Sequence, residues 1–344
     1  MPDRAQPRPA LLAVVVNPTA DRGRGRGEGA RTLALLREAG HHVLDLSAPN
    51  APLALENARD AIARDAPTPV DALVVVGGDG MVHLGVNAVA GTGIPLGIVA
   101  AGTGNDFAAA LGLPVHDVPT AVAILLDALS VRGTGTGTGV RVVDAARAEP
   151  LHADLTPRPG RARWFCGVLS AGLDAAVNAH ANALTWPRGS AKYVRAVASE
   201  LARFHPYGYR ITADTPDDVT HPFVWTSPGT VVAVANGHRF GGGVQIAPDA
   251  RVDDGLLDLV TAGTLTRLGA ARIFPGMYQG KHVHHPAVDV RRATSVLIET
   301  TDAGRPPPPA FADGERISHL PVRVTVAPGA LHVLDARVTE PPPT

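Results

Sequence analysis

The chain has 344 residues, 31 Lys and Arg against 32 Asp and Glu, and a formal net charge of -1, which excludes a globally basic nucleic-acid-binding surface. Its 45% hydrophobic and 18% charged residues form a globular balance, and the length suggests about two domains. The single cysteine, Cys166, excludes an intrachain disulfide framework and a four-cysteine zinc site and suits a reducing compartment.

Arg4 and Arg8 ahead of the apolar run 10–16 imitate a short signal peptide. The β-branched Val14 to Val16, leading into Asn17-Pro18, instead predict a buried first strand over 11–16. No apolar run reaches the roughly 18 residues that cross a bilayer. A soluble cytoplasmic protein, open to peripheral membrane contact, is expected.

A Gly/Arg-rich loop over 17–27 follows, then a helix over 30–39, a strand over 42–46 and a helix over 53–64. The all-apolar run 73–76 reads as a strand covered on both faces. A helix over 81–90, a strand over 96–100 and helices starting near Asp106 and Asp117 complete the alternation. Strands alternating with helices predict a doubly wound parallel sheet.

Two strand-to-helix connections carry chemistry: Gly77-Gly78-Asp79-Gly80 and Gly102-Thr103-Gly104-Asn105-Asp106. Both fall at carboxyl ends of parallel strands, where open α/β sheets bind ligands. Glycines let backbone amides approach phosphate oxygens, and a following helix N-terminus favours anions. A bare carboxylate in such a loop repels phosphate, so Asp79 needs a magnesium bridge, a hydroxyl to orient, or a plain turn and capping role. Neither a G-x-x-x-x-G-K-[ST] loop nor a G-x-G-x-x-G fingerprint occurs.

The Gly-Thr repeat in 132–139 reads as a linker, followed by a strand over 140–143 and a polar loop over 152–163. Short strands are then predicted over 164–169, 209–213, 223–226, 231–235, 256–260, 295–299, 322–326 and 331–334. Val322, Val324 and Val326 alternate with Arg323 and Thr325, the period of an antiparallel sheet. Helices are expected over 190–204, with Tyr193, Val197, Leu201 and Phe204 facing a core, and over 266–278. His282, His284 and His285 have no zinc-site spacing and read as an exposed loop; Cys166 reads as a small buried residue.

Three polar clusters in this half each have a hairpin reading: Asn236-Gly237 with Gly241-Gly242-Gly243, Asp253-Asp254-Gly255, and Asp313-Gly314-Glu315. Taken in order with Asn17-Pro18 and the two glycine-rich loops, they resemble the diacylglycerol kinase catalytic-domain family, which includes bacterial soluble lipid kinases and sphingosine kinases. The resemblance runs from about residue 10 to about 335. The first loop alone is shared with NAD kinases.

The resemblance implies a nucleotide-binding α/β domain over 1–131, an antiparallel β-sandwich lipid-binding domain over 132–335, a tail over 336–344 and an active site in the cleft between the domains. It implies an ATP-dependent, Mg2+-dependent lipid kinase that phosphorylates a lipid alcohol at the membrane surface, with diacylglycerol the default acceptor. By motif, Asn17, Pro18, Thr19, Gly77, Gly78, Asp79, Gly80, Met81 and Thr103 would contact nucleotide. Glu315 or Asp79 would accept the hydroxyl proton, and Asp254 with the Leu256 carbonyl would hold Mg2+. The chain departs from the family pattern at Met81, where Thr is usual, and at Leu84, where an acid is usual. An NAD-kinase-like phosphotransferase and a nucleotide-binding regulator with decayed activity are the alternatives; homodimerisation is left open.

Overall fold

A computed structural model describes residues 9–17, 24–63, 68–134, 137–184, 186, 190–216 and 218–337, with backbone alone at 24–26, 134, 190, 191 and 219. The chain divides into two compact units: residues up to Val143 together with those from Gly329 onward, and Asp144–Pro328.

The first unit alternates strand and helix: β1 (Leu11–Val16), α1 (Arg24–Glu38), β2 (His42–Asp45), α2 (Ala51–Ile62), β3 (Ala72–Gly77), α3 (Asp79–Val89), β4 (Leu96–Ala100), α4 (Asp106–Ala110) and α5 (Val118–Thr134). The strands lie parallel in the order β2-β1-β3-β4, and Val333 of the returning chain pairs in parallel with Leu96. β3 is buried along its whole length, as expected for a strand covered on both faces. Leu12, Val14, Val74, Val76 and Val99 pack with Leu36 of α1 and Val122 and Leu125 of α5.

Two expectations are corrected here. Residues 24–27, expected in the loop, are helix: the helix that buries Leu36 extends back through them despite the roughly 1 kcal/mol cost of each glycine. Likewise α5 runs past the predicted linker start to Thr134, carried by its buried face of Val122, Leu125 and Ala128. Residues 135 and 136 of the Gly-Thr repeat lie outside the described residues.

The chain enters the second unit along β5 (Val140–Pro150) and continues through β6 (Arg163–Phe165), β7 (Val168–Ser170), α6 (Leu173–Ala183), α7 (Ser190–Arg203), β8 (Tyr207–Thr215), β9 (Asp218–Gly229), β10 (Val231–Ala235), β11 (Leu257–Ala262), α8 (Arg267–Met277), β12 (Val288–Ala293), β13 (Ser295–Thr300), β14 (Ala310–Ala312), β15 (Glu315–Ser318) and β16 (Val322–Leu334). Antiparallel pairing builds two sheets, β16-β13-β8-β9 and β12-β11-β10-β7-β14-β15. Tyr209, Ile211, Val296, Ile298, Val322 and Val324 of one pack against Leu169, Val232, Val234, Leu257 and Leu259 of the other, the core of a sandwich.

Several local readings change. The run 164–169 is two short strands broken at Cys166-Gly167. The runs 322–326 and 331–334 are one strand, which absorbs Pro328-Gly329. α6 was not predicted, because its many alanines give little helical periodicity. Tyr193 of α7 points away from the core and is 45% exposed. His282 is not in an exposed loop: it is buried in a 3-10 turn over Lys281–His284, its Nε2 donates to the Ile246 carbonyl at 2.9 Å, and burial holds its pKa below the ordinary value. Among the described residues no helix is long and apolar enough to cross a membrane.

Candidate active site

In the first unit, β3 and β4 end side by side, and each delivers a glycine-rich loop to the same sheet edge. Gly102 lies directly on Gly78: a Cβ on Gly102 would stand 2.2 Å from the Gly78 Cα. Gly77 has φ of +152°, and a Cβ there would stand 2.6 Å from Cγ of Met81. The loops can therefore touch only through bare backbone.

Asp79 joins them. It opens α3, and its carboxylate accepts the backbone N–H of Asn105 at 2.8 Å and of Asp106 at 2.7 Å. Asn105 is buried at φ of 58°, and its side chain bonds Gly102 reciprocally, Oδ1 accepting from the amide at 3.1 Å and Nδ2 donating to the carbonyl at 2.7 Å. So Asn105 precedes α4 without capping it. Asn17 reaches the same edge, its amide bonded to the Val76 carbonyl at 3.1 Å. Gly80 and Thr103 are exposed there. Pro18 and Thr19 lie outside the described residues.

The two departures from the family pattern are absorbed by packing. Met81 and Leu84 are buried along α3, and the Met81 amide donates to the Gly78 carbonyl at 2.9 Å.

In the second unit the Asp313-Gly314-Glu315 turn joins β14 to β15. Asp313, at φ of 49°, accepts the amides of Cys166 at 3.0 Å, Gly167 at 2.9 Å and Val168 at 3.2 Å. Glu315, the first residue of β15, is exposed. The anchoring of the turn is thus done by Asp313, leaving Glu315 to face solvent. Sequence reasoning missed Asp144, a buried residue whose carboxylate accepts the Gly255 amide at 2.7 Å and so braces the Asp253-Asp254-Gly255 turn. Strand position alone gave no sign of it.

Asp254 and Leu256, the candidate magnesium ligands, are two positions apart, and the Leu256 amide donates to Oδ1 of Asp254 at 3.1 Å. Carboxylate and carbonyl oxygens suit Mg2+. Here, however, Oδ2 of Asp254 is paired with the Arg292 guanidinium, so that carboxylate is already neutralised and the pair does not fit a resident cation. Among the described residues no group of three or more His, Cys, Asp or Glu side chains could hold a metal ion. Close by, Asp258 on β11 is buried, and burial together with the neighbouring Asp249 pushes its carboxyl up to about 6.

Comparison with known proteins gives two family matches. The diacylglycerol kinase catalytic domain covers residues 11–134, and the YegS C-terminal NAD kinase beta sandwich-like domain covers 167–335. The chain is 31% identical over 326 residues to diacylglycerol kinase of Mycobacterium tuberculosis H37Rv, spanning 95% of each chain. It is 30% identical over 272 residues to a Pseudomonas aeruginosa PAO1 protein named "Probable lipid kinase YegS-like", spanning 76% of this chain and 75% of that one. A solved diacylglycerol kinase from Bacillus anthracis Sterne superposes with a TM-score of 0.63 at 21% identity, over 95% of this chain and 96% of that one. Yeast NADH kinase complexed with NADH gives 0.53 at 10% identity, over 95% and 84%. At these identities the two solved structures establish the fold.

Proposed function

Because the chain belongs to the diacylglycerol kinase catalytic-domain family, we propose that this lipid kinase transfers the γ-phosphoryl group of ATP to the free hydroxyl of diacylglycerol. The observation that carries the reading is the Asp79 carboxylate, which accepts the amides of Asn105 and Asp106 and so holds two glycine-rich loops together. Its charge is spent on backbone amides, which removes the objection to a carboxylate beside phosphate.

In this reading Asn17, Pro18, Thr19, Gly77, Gly78, Gly80 and Thr103 surround the nucleotide, with the amides of Gly78, Gly80 and Thr103 directed to phosphate oxygens. Met81 contributes by packing on Gly77. Mg2+ arriving with ATP supplies charge neutralisation on the phosphates. Glu315 is the proton acceptor, because it is exposed on a fixed turn whereas both oxygens of Asp79 already hold amides. As the lipid oxygen bonds to the γ-phosphorus, its proton passes to the Glu315 carboxylate. The bond from that phosphorus to the β–γ bridging oxygen breaks, and ADP leaves with the electron pair. Phosphoryl transfer has a loose transition state, so holding the groups in line matters more than moving the proton.

The test is transfer from radiolabelled ATP with Mg2+ in mixed micelles, offering diacylglycerol, monoacylglycerol, ceramide, sphingosine and undecaprenol, with NAD as a soluble acceptor. Label on diacylglycerol, lost in Glu315→Gln, is expected. Label on NAD and on no lipid overturns the reading in favour of a soluble phosphotransferase. ATP binding with no labelled acceptor overturns it in favour of a regulator.

A further inference from the structure

We propose that Asn236 is a positioning residue for Glu315, acting through the Cys166-Gly167 peptide; this rests on the reading of Glu315 as the proton acceptor.

The break between β6 and β7 is gripped from two sides. On the amide side, Asp313 accepts the N–H groups of Cys166, Gly167 and Val168 at 3.0, 2.9 and 3.2 Å, and returns its own N–H to the Val168 carbonyl at 3.1 Å. On the carbonyl side, Asn236 Nδ2 donates to Cys166 O at 2.9 Å, while the amides of Asn236 and Gly237 both donate to Gly167 O, at 2.8 and 3.0 Å. One segment thus transmits the position of Asn236 to Asp313, and Asp313 sets where the turn presents Glu315.

Asn236 has a second reach. Its Nδ2 also donates to the Asp144 carbonyl at 3.2 Å, and the Asp144 carboxylate accepts the Gly255 amide at 2.7 Å. A single buried amide is therefore tied to the Asp253-Asp254-Gly255 turn and to the Asp313-Gly314-Glu315 turn. Asn236 is fully buried, and its Oδ1 finds no partner among the described residues. A buried acceptor left unsatisfied is unfavourable to stability, and such local violations collect where position matters for function. A residue serving the core alone would be apolar here, as its β10 neighbours Val232 and Val234 are.

Cys166 supplies a local reporter. It is the only cysteine and is 1% exposed, with its amide held by Asp313, so its rate of thiol labelling reads the tightness of this segment. Asn236→Ala and Asn236→Ser would be compared with wild type, Asp313→Asn and Glu315→Gln. Each would be followed by lipid kinase kcat, ATP dissociation constant, Cys166 labelling and thermal midpoint. The expected result is a kcat at least tenfold lower for Asn236→Ala, an ATP dissociation constant within twofold of wild type, faster Cys166 labelling well below the melting transition, and partial recovery of both in Asn236→Ser. Asp313→Asn is expected to reproduce the loss from the other side of the peptide. In the Glu315→Gln background, Asn236→Ala is expected to lower kcat by less than twofold further.

A kcat per folded molecule equal to wild type in Asn236→Ser and Asn236→Ala, or fully multiplicative losses in the double variant, would overturn the proposal. If Asn236→Ala does not fold, Asn236→Ser and the labelling rate decide it. Undiminished kcat in Glu315→Gln alone overturns the proton-acceptor reading itself, and this inference with it. Loss in Glu315→Gln with no loss at Asn236 overturns this inference alone.

Discussion

Oδ2 of Asp79 accepts the backbone N–H of Asn105 at 2.8 Å, so the first residue of α3 holds the loop that enters α4. The second oxygen takes the next amide, Asp106, at 2.7 Å. The acidic residue of the first glycine-rich loop is therefore a brace between two loops before it is anything else.

Asp79→Asn tests the brace. One acceptor oxygen becomes an NH2 group facing a backbone N–H, which leaves that amide unpaired. A stability loss of about 1–3 kcal/mol is expected, with ATP affinity falling by more than tenfold because the loops no longer hold one arrangement. Isothermal calorimetry with ATP and a thermal melt of the same sample check both; unchanged ATP affinity would remove Asp79 from the nucleotide site.

Gly102→Ala tests the backbone contact. Its Cβ would stand 2.2 Å from the Gly78 Cα, a distance that only a backbone shift can relieve. Overpacking of this kind costs about 1–3 kcal/mol. ATP affinity should fall with stability here, whereas Gly112→Ala, outside both loops at φ of +67°, should lower stability alone.

Arg292→Ala tests the paired carboxylate. Arg292 is half exposed, so losing the pair should cost no more than about 1 kcal/mol. In wild-type protein without ATP, Mg2+ should leave the thermal midpoint unchanged. In Arg292→Ala the freed Asp254 should make the midpoint rise with Mg2+ concentration. A wild-type midpoint that already rises with Mg2+ would mean that the cation displaces the guanidinium.

Asp258 sets a pH dependence. Its carboxyl is raised from an ordinary 3.8 to about 6 in the folded protein, so the folded state binds this proton more tightly than the unfolded chain. Its contribution to stability is fully present below pH 3.8 and is lost as pH rises through about 6. Asp258→Asn removes that loss and should stabilise the protein at pH 7.5 by about 3 kcal/mol, with little effect at pH 4. Denaturant melts of both proteins at the two pH values check the sign.

Local sequence by itself determined the alternation of strand and helix up to α5 and the strand that begins at Val322, because the all-apolar run at 72–77 and the alternating valines from 322 carry their burial in their own spacing. It also placed both glycine-rich loops and the Asp-Gly-Glu turn, since these chain reversals need residues that tolerate their backbone angles. Tertiary structure alone decided what the polar residues in those loops do. Asp79 and Asn105 are 26 positions apart, and Asp313 and Cys166 are 147 apart. Hydrogen bonds across such separations depend on which strands become neighbours, and no local periodicity encodes that. The same holds for His282, whose buried ring donates to the Ile246 carbonyl 36 positions away, and for Arg292, whose guanidinium meets Asp254 only because β12 pairs with β11.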